Sequence, residues 1–101
     1  MDELTLIDLK ASNFEQYLNQ KIEIAFSYTA KLEAEIIEVT HLRDIGVGRA
    51  PFSVVFRTAQ KTEYYQQGTY LVFLPETEAL ELFLVPIGLD KEGMRYEAVF
   101  S

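Results

Sequence analysis

Residues 51–101 contain four short apolar runs, PFSVVFR, GTYLVFL, ALELFLVPI and MRYEAVF, each closed by a segment of turn-forming residues. Runs of that length, rich in aromatic and β-branched side chains, read as strands, and the punctuation between them reads as antiparallel connections. A chain patterned in this way must wrap its apolar faces around a shared interior or leave them in water.

The first half continues the pattern. In KIEIAFS (residues 21–27), Ile22, Ile24 and Phe26 alternate with Lys21, Glu23 and Ser27, which predicts a strand with one buried face. Residues 32–41 begin in the same phase with Leu32, Ala34 and Ile36, and then Ile37 and Val39 take over the apolar role. A one-residue change of phase predicts a β-bulge at Ile36-Ile37. The glutamates of LEAEIIEV also suit a helix, but a strand pairs naturally with 21–27 across the short 28–31 connection. Upstream, Ser12-Asn13-Phe14-Glu15 fits a capping box, and Phe14, Tyr17 and Leu18 then share one helical face. LTLIDL before it reads as a strand or an extended lead-in. Pro51 suits a strand start, the segment Pro75 to Glu78 a tight turn, and Gly88 to Gly93 the close of a final hairpin. The expected fold is mainly β: a single domain over 1–101, with six antiparallel strands rolled into a small barrel or sandwich and one short N-terminal helix across an opening or face.

The fifth strand is apolar on both sides. Leu80, Leu82 and Leu84 lie on one face, and Phe83, Val85 and Ile87 on the other, interrupted only by Glu81. One face is the interior. The second needs the helix, another sheet or a second subunit, because each large side chain left in water forfeits about 1.5–3 kcal/mol. Phe83, Val85 and Ile87 are therefore the candidate interaction surface.

Charge narrows the partners. The chain has 101 residues, no cysteine and a net charge of −7. That excludes a disulfide framework and argues against nucleic acid, whose phosphates would be repelled. The acidic start MDELTLIDLK does not look like a signal peptide, and no run approaches the roughly 20 apolar residues of a membrane span. A cytoplasmic protein that does not engage membranes is expected. Residues 40–62 form a basic island, with Arg43, Arg49, Arg57 and Lys61 against Asp44 alone. The island reads as solvated loop charge; as a docking loop for an acidic partner it would present Arg43 and Arg49.

Reaction chemistry is thinly represented. The single histidine, His41, reads as a strand-end residue near Arg43, and it lacks the partners of a triad or a zinc site. Glu23, Glu33, Glu35 and Glu38 occupy solvent-facing strand positions. RDIGVGR (43–49) lacks the spacing of a phosphate loop. Arg57 and Arg95 are expected to make cross-strand ion pairs with Glu81 and Glu97. Tyr64, Tyr65, Tyr70 and Tyr96 fit sheet and core packing better than a base-stacking surface. No catalytic, cofactor-binding or metal residues are assigned.

Four segments carry a resemblance: PFSVVFR (51–57), QGTY (67–70), LELFLVPIG (80–88) and GMRYEAVF (93–100). In their order and spacing the C-terminal half resembles a family of small, functionally uncharacterised bacterial domains often encoded close to phage-tail-collar-like proteins. Thr58-Ala59 stands where that pattern has a glycine-bearing turn. The resemblance implies an association with tail-like or contractile injection assemblies, and it brings no catalytic or cofactor residues. The leading expectation is a non-catalytic structural or adaptor module that binds a protein partner or itself, as a homo-oligomer. The alternative is a small-molecule-binding barrel whose interior is lined by Phe52, Phe56 and Tyr70. An enzyme built on a Glu/Arg/Tyr cluster ranks last.

Overall fold

The computed structural model describes residues 9–46, 48 and 50–101. After the helix α1 (Ala11–Glu15) come six strands: β1 (Lys21–Ala25), β2 (Lys31–His41), β3 (Phe52–Thr58), β4 (Gly68–Phe73), β5 (Leu80–Leu89) and β6 (Met94–Phe100). All neighbours are antiparallel, and the sheet closes on itself in the order β1-β2-β3-β6-β5-β4. Closure removes the free edges that an open sheet of such apolar strands would expose.

Alternation sets the interior. Ile22, Ile24, Phe26, Ala34, Ile36, Val54, Phe56, Val72, Leu82, Leu84, Tyr96 and Ala98 are all buried in one cluster. The phase change in β2 is a bulge: its register to β3 shifts between Ile36 and Glu38, as the apolar pattern predicts. A second shift falls in β5 between Pro86 and Gly88, and Gly88 there has φ +115°, a conformation that favours a residue without Cβ. This bulge leaves Ile87 without a register partner on β6, at the end of the face Phe83/Val85/Ile87.

One end of the barrel is plugged by α1. The Phe14 ring is fully buried, with its centroid 5.9 Å from Phe52, 6.4 Å from Phe56 and 5.4 Å from Phe100. The cap differs from the expected Ser12 box. Lys10 is the N-cap, its N–H donates to Asn13 Oδ1 (2.7 Å), and the Asn13 N–H donates back to Lys10 O (2.9 Å). Asn13 is three residues past the cap and short enough to reach back, which leaves the Glu15 carboxylate free to turn toward β2. Beyond α1, the Tyr17 hydroxyl donates to Pro75 O (3.0 Å), tying this segment to the β4–β5 turn. The lead-in LTLIDL lies outside the described residues except for Leu9, which is fully buried.

At the other end the β5–β6 hairpin folds against the end of β3. A Cβ on Gly93 would lie 1.7 Å from the Thr58 carbonyl oxygen, so the turn approaches β3 as closely as backbone allows. Asp90 organises this turn: its Oδ1 accepts from the N–H groups of Glu92 (2.8 Å) and Gly93 (3.0 Å).

Candidate functional site

Two of the three candidate residues on β5 face water. Phe83 is 54% exposed and Ile87 37%, while Val85 is half-buried; Leu80, Leu82 and Leu84 point inward. Helix α1 packs against β2 and β3, so it does not cover this face. The neighbouring strands extend the apolar surface. Leu71 on β4 is 39% exposed and Val99 on β6 is 60% exposed. Phe83 and Val99 flank a shallow hollow of about 210 Å³ between β5 and β6.

A larger groove opens where β1 and β4 separate. Those strands pair only from Glu23↔Phe73 to Ala25↔Leu71. Beyond that point the hairpin at 26–30 and the start of β4 bound a space of about 680 Å³, lined by Phe26, Tyr28, Lys31, Tyr70, Leu71 and Glu81 among others. Tyr28, at the hairpin tip, is fully exposed. Lys31 reaches over the Phe73 ring at 4.4 Å and pairs with Glu23 at 3.6 Å. The register places Lys31, Ala25, Leu71 and Glu81 in one row across four strands. The sequence reading missed this row. Its signal was available in GTYLVFL, where Leu71 and Phe73 stand out of phase with the inward Tyr70 and Val72, just as Phe83 stands out of phase in β5.

Beneath the groove lies an aromatic layer. Phe26 stacks on Tyr65 (4.4 Å, 7° between planes) and contacts Tyr70 and Tyr96 at 4.8 and 5.1 Å. Tyr96 is fully buried; its hydroxyl donates to Gln60 Oε1 (2.7 Å) and accepts from the Tyr65 N–H (3.0 Å). Burial raises the Tyr96 phenol above its ordinary value of 10.0. These bonds pin the polar 59–67 connection to the barrel. The lining expected for an interior pocket is divided between the two ends: Phe52 and Phe56 pack on the Phe14 plug, and Tyr70 belongs to this second layer.

Arg57 is placed differently from the sequence expectation. Its guanidinium meets Asp90 (3.1 Å), Glu92 (3.1 Å) and Glu35 (3.5 Å), and its side chain is only 17% exposed. Glu81 and Glu97 are not among these partners. Arg95 sits beside Arg57 in the register and donates through Nε to Gly88 O (3.3 Å). The β5 bulge presents that carbonyl, and no local sequence pattern marks it. The basic island thus contributes Arg57 to internal structure. The Asp90 carboxyl is held below its ordinary 3.8, first by the Glu92 N–H, with the Gly93 N–H and Arg57 adding to the effect against the opposing cost of burial.

Arg43 is exposed on the β2–β3 loop, with β3 and β6 between that loop and β5 in the sheet order. Arg49 lies outside the described residues. His41 Nε2 meets Glu15 Oε2 at 3.1 Å and so links the end of β2 to α1. Among the described residues, no group of three or more His, Cys, Asp or Glu side chains is placed to hold a metal ion, and no helix is long and apolar enough to cross a membrane.

Residues 9–100 match the family model DUF6916, described as a domain of unknown function. The chain belongs to the DUF6916 family. The match takes in α1, all six strands, the groove and the β5 face, so these are features of one DUF6916 domain. No curated protein and no solved structure matches the chain.

Proposed function

We propose that this DUF6916 domain is a non-catalytic structural or adaptor module whose outer β4–β5–β6 face assembles with protein. The observation that carries this reading is the run of exposed apolar side chains Leu71, Phe83 and Val99 on three adjacent strands of a closed barrel. Closed barrels ordinarily keep large side chains inside, and contiguous exposed apolar surface marks interaction sites. Burying such a patch supplies the affinity, and the surrounding charges set the register. A tail-like or contractile injection assembly is the setting we favour, on the strength of the sequence resemblance alone; a chain without cysteine suits the cytoplasm.

The test is site-specific photo-cross-linking in the native cell. A benzoylphenylalanine in place of Phe83 is expected to give a protein adduct, and the same group in place of the exposed Glu38 on β2 is not. A Phe83 probe that captures no protein refutes the reading. The groove supports a second reading, a small-molecule site, because Phe26 and Tyr70 line a space of about 680 Å³. A thermal-shift screen with apolar ligands distinguishes it, since ligand binding to the folded form raises the midpoint.

A further inference from the structure

We propose that the groove between β1 and β4 receives the 26–30 hairpin of a second copy of this chain, in a reciprocal two-fold exchange. This rests on the reading of the outer sheet face as an assembly surface, which the groove joins at Leu71, and names a partner for that edge of it. The plug and the socket lie side by side. Tyr28 is fully exposed at the hairpin tip, and the same hairpin forms one wall of the groove that Phe26, Tyr70 and Leu71 line. A two-fold axis beside the groove carries each tip into the other copy's groove, satisfying both sites at once, as an isologous interface requires.

Charge supports a copy over an unrelated chain. Lys31 stands at the root of the hairpin and Glu81 on the opposite wall, at the two ends of the row Lys31–Ala25–Leu71–Glu81. An incoming hairpin from a second copy brings the partner's Lys31 to Glu81, and the same axis brings Lys31 to the partner's Glu81. The row is complementary to its own reverse, with unlike charges at its ends and apolar residues between. An unrelated partner would need that arrangement independently.

The experiment uses the purified full chain, with Tyr28→Ser, Lys31→Glu and Glu81→Lys variants studied by sedimentation velocity. The native chain is expected to dimerise, and each variant to weaken the dimer by about tenfold or more, since like charges facing across an interface are strongly unfavourable. Lys31→Glu and Glu81→Lys, each impaired alone, are expected to form a heterodimer when mixed, because both crossed contacts then pair unlike charges. Melting curves confirm that each variant is folded. A native chain that stays monomeric at all concentrations overturns the proposal. So does a dimer indifferent to all three substitutions, or a mixture that fails to associate. A Phe83 photo-adduct with a different protein, alongside a monomeric purified chain, sinks this inference and leaves the assembly reading standing.

Discussion

Replacing Phe14 with alanine should remove the plug from one end of the barrel. Phe14 is fully buried, and its ring meets those of Phe52, Phe56 and Phe100 at centroid distances of 5.4–6.4 Å. A buried Phe→Ala change costs about 3–5 kcal/mol, through lost transfer energy and the cavity left behind. Nothing local compensates, because α1 has five residues and helices so short are not stable alone. Against a typical total stability of about 5–15 kcal/mol, this is a large fraction. With a urea m-value of about 1.5 kcal/mol/M, the unfolding midpoint should drop by about 2–3 M. The assay is urea denaturation followed by far-ultraviolet circular dichroism and tyrosine fluorescence. Leu18→Ala is the control: Leu18 is in the same segment, 36% exposed, and its truncation should cost less than about 1 kcal/mol. A Phe14→Ala loss below about 1.5 kcal/mol, or one equal to that of Leu18→Ala, would refute the plug.

Gly93→Ala should be severely destabilising, because its Cβ, whose position the backbone fixes, would lie 1.7 Å from the Thr58 backbone carbonyl oxygen; a thermal melt at or above the native midpoint would contradict the close approach. Asp90 makes stability fall in acid. Its carboxyl is held below the ordinary 3.8, so its contribution is fully present above about pH 4 and is lost as pH falls through the lower folded-state value. Asp90→Asn should therefore destabilise near neutrality and flatten the pH dependence below pH 4, measured as denaturation midpoints against pH.

The strand pattern was legible because alternation is local. Ile22, Ile24 and Phe26 announce which face of β1 is inside, and the Ile36-Ile37 change of phase announces the β2 bulge. The choice between barrel and sandwich was not legible. It depends on β1 meeting β4, and no short segment encodes a pairing between residues so far apart in the chain. The β5 bulge was hidden because Val85, Pro86 and Ile87 are all apolar, so slipping the register leaves no mark in the pattern. The partners of Arg57 are hidden in the sequence for a related reason. They come from β2 and the β5–β6 turn, and only the closed sheet brings these together. The double-sided character of β5 singles out the second face that carries Phe83, and the same pattern puts Leu71 on the outer face of β4.

The short meeting of β1 with β4 determines how the domain opens. Among the described residues the two strands pair over three residues each, Glu23–Ala25 and Leu71–Phe73. Their amides should be among the first strand amides to exchange with deuterium, well before those of the long β2–β3 ladder. Closing this seam joins segments almost fifty positions apart, an entropic cost met late in folding. The molecule is in effect a curled sheet with a clasp, and whatever grips both sides of that clasp sets how long it stays fastened.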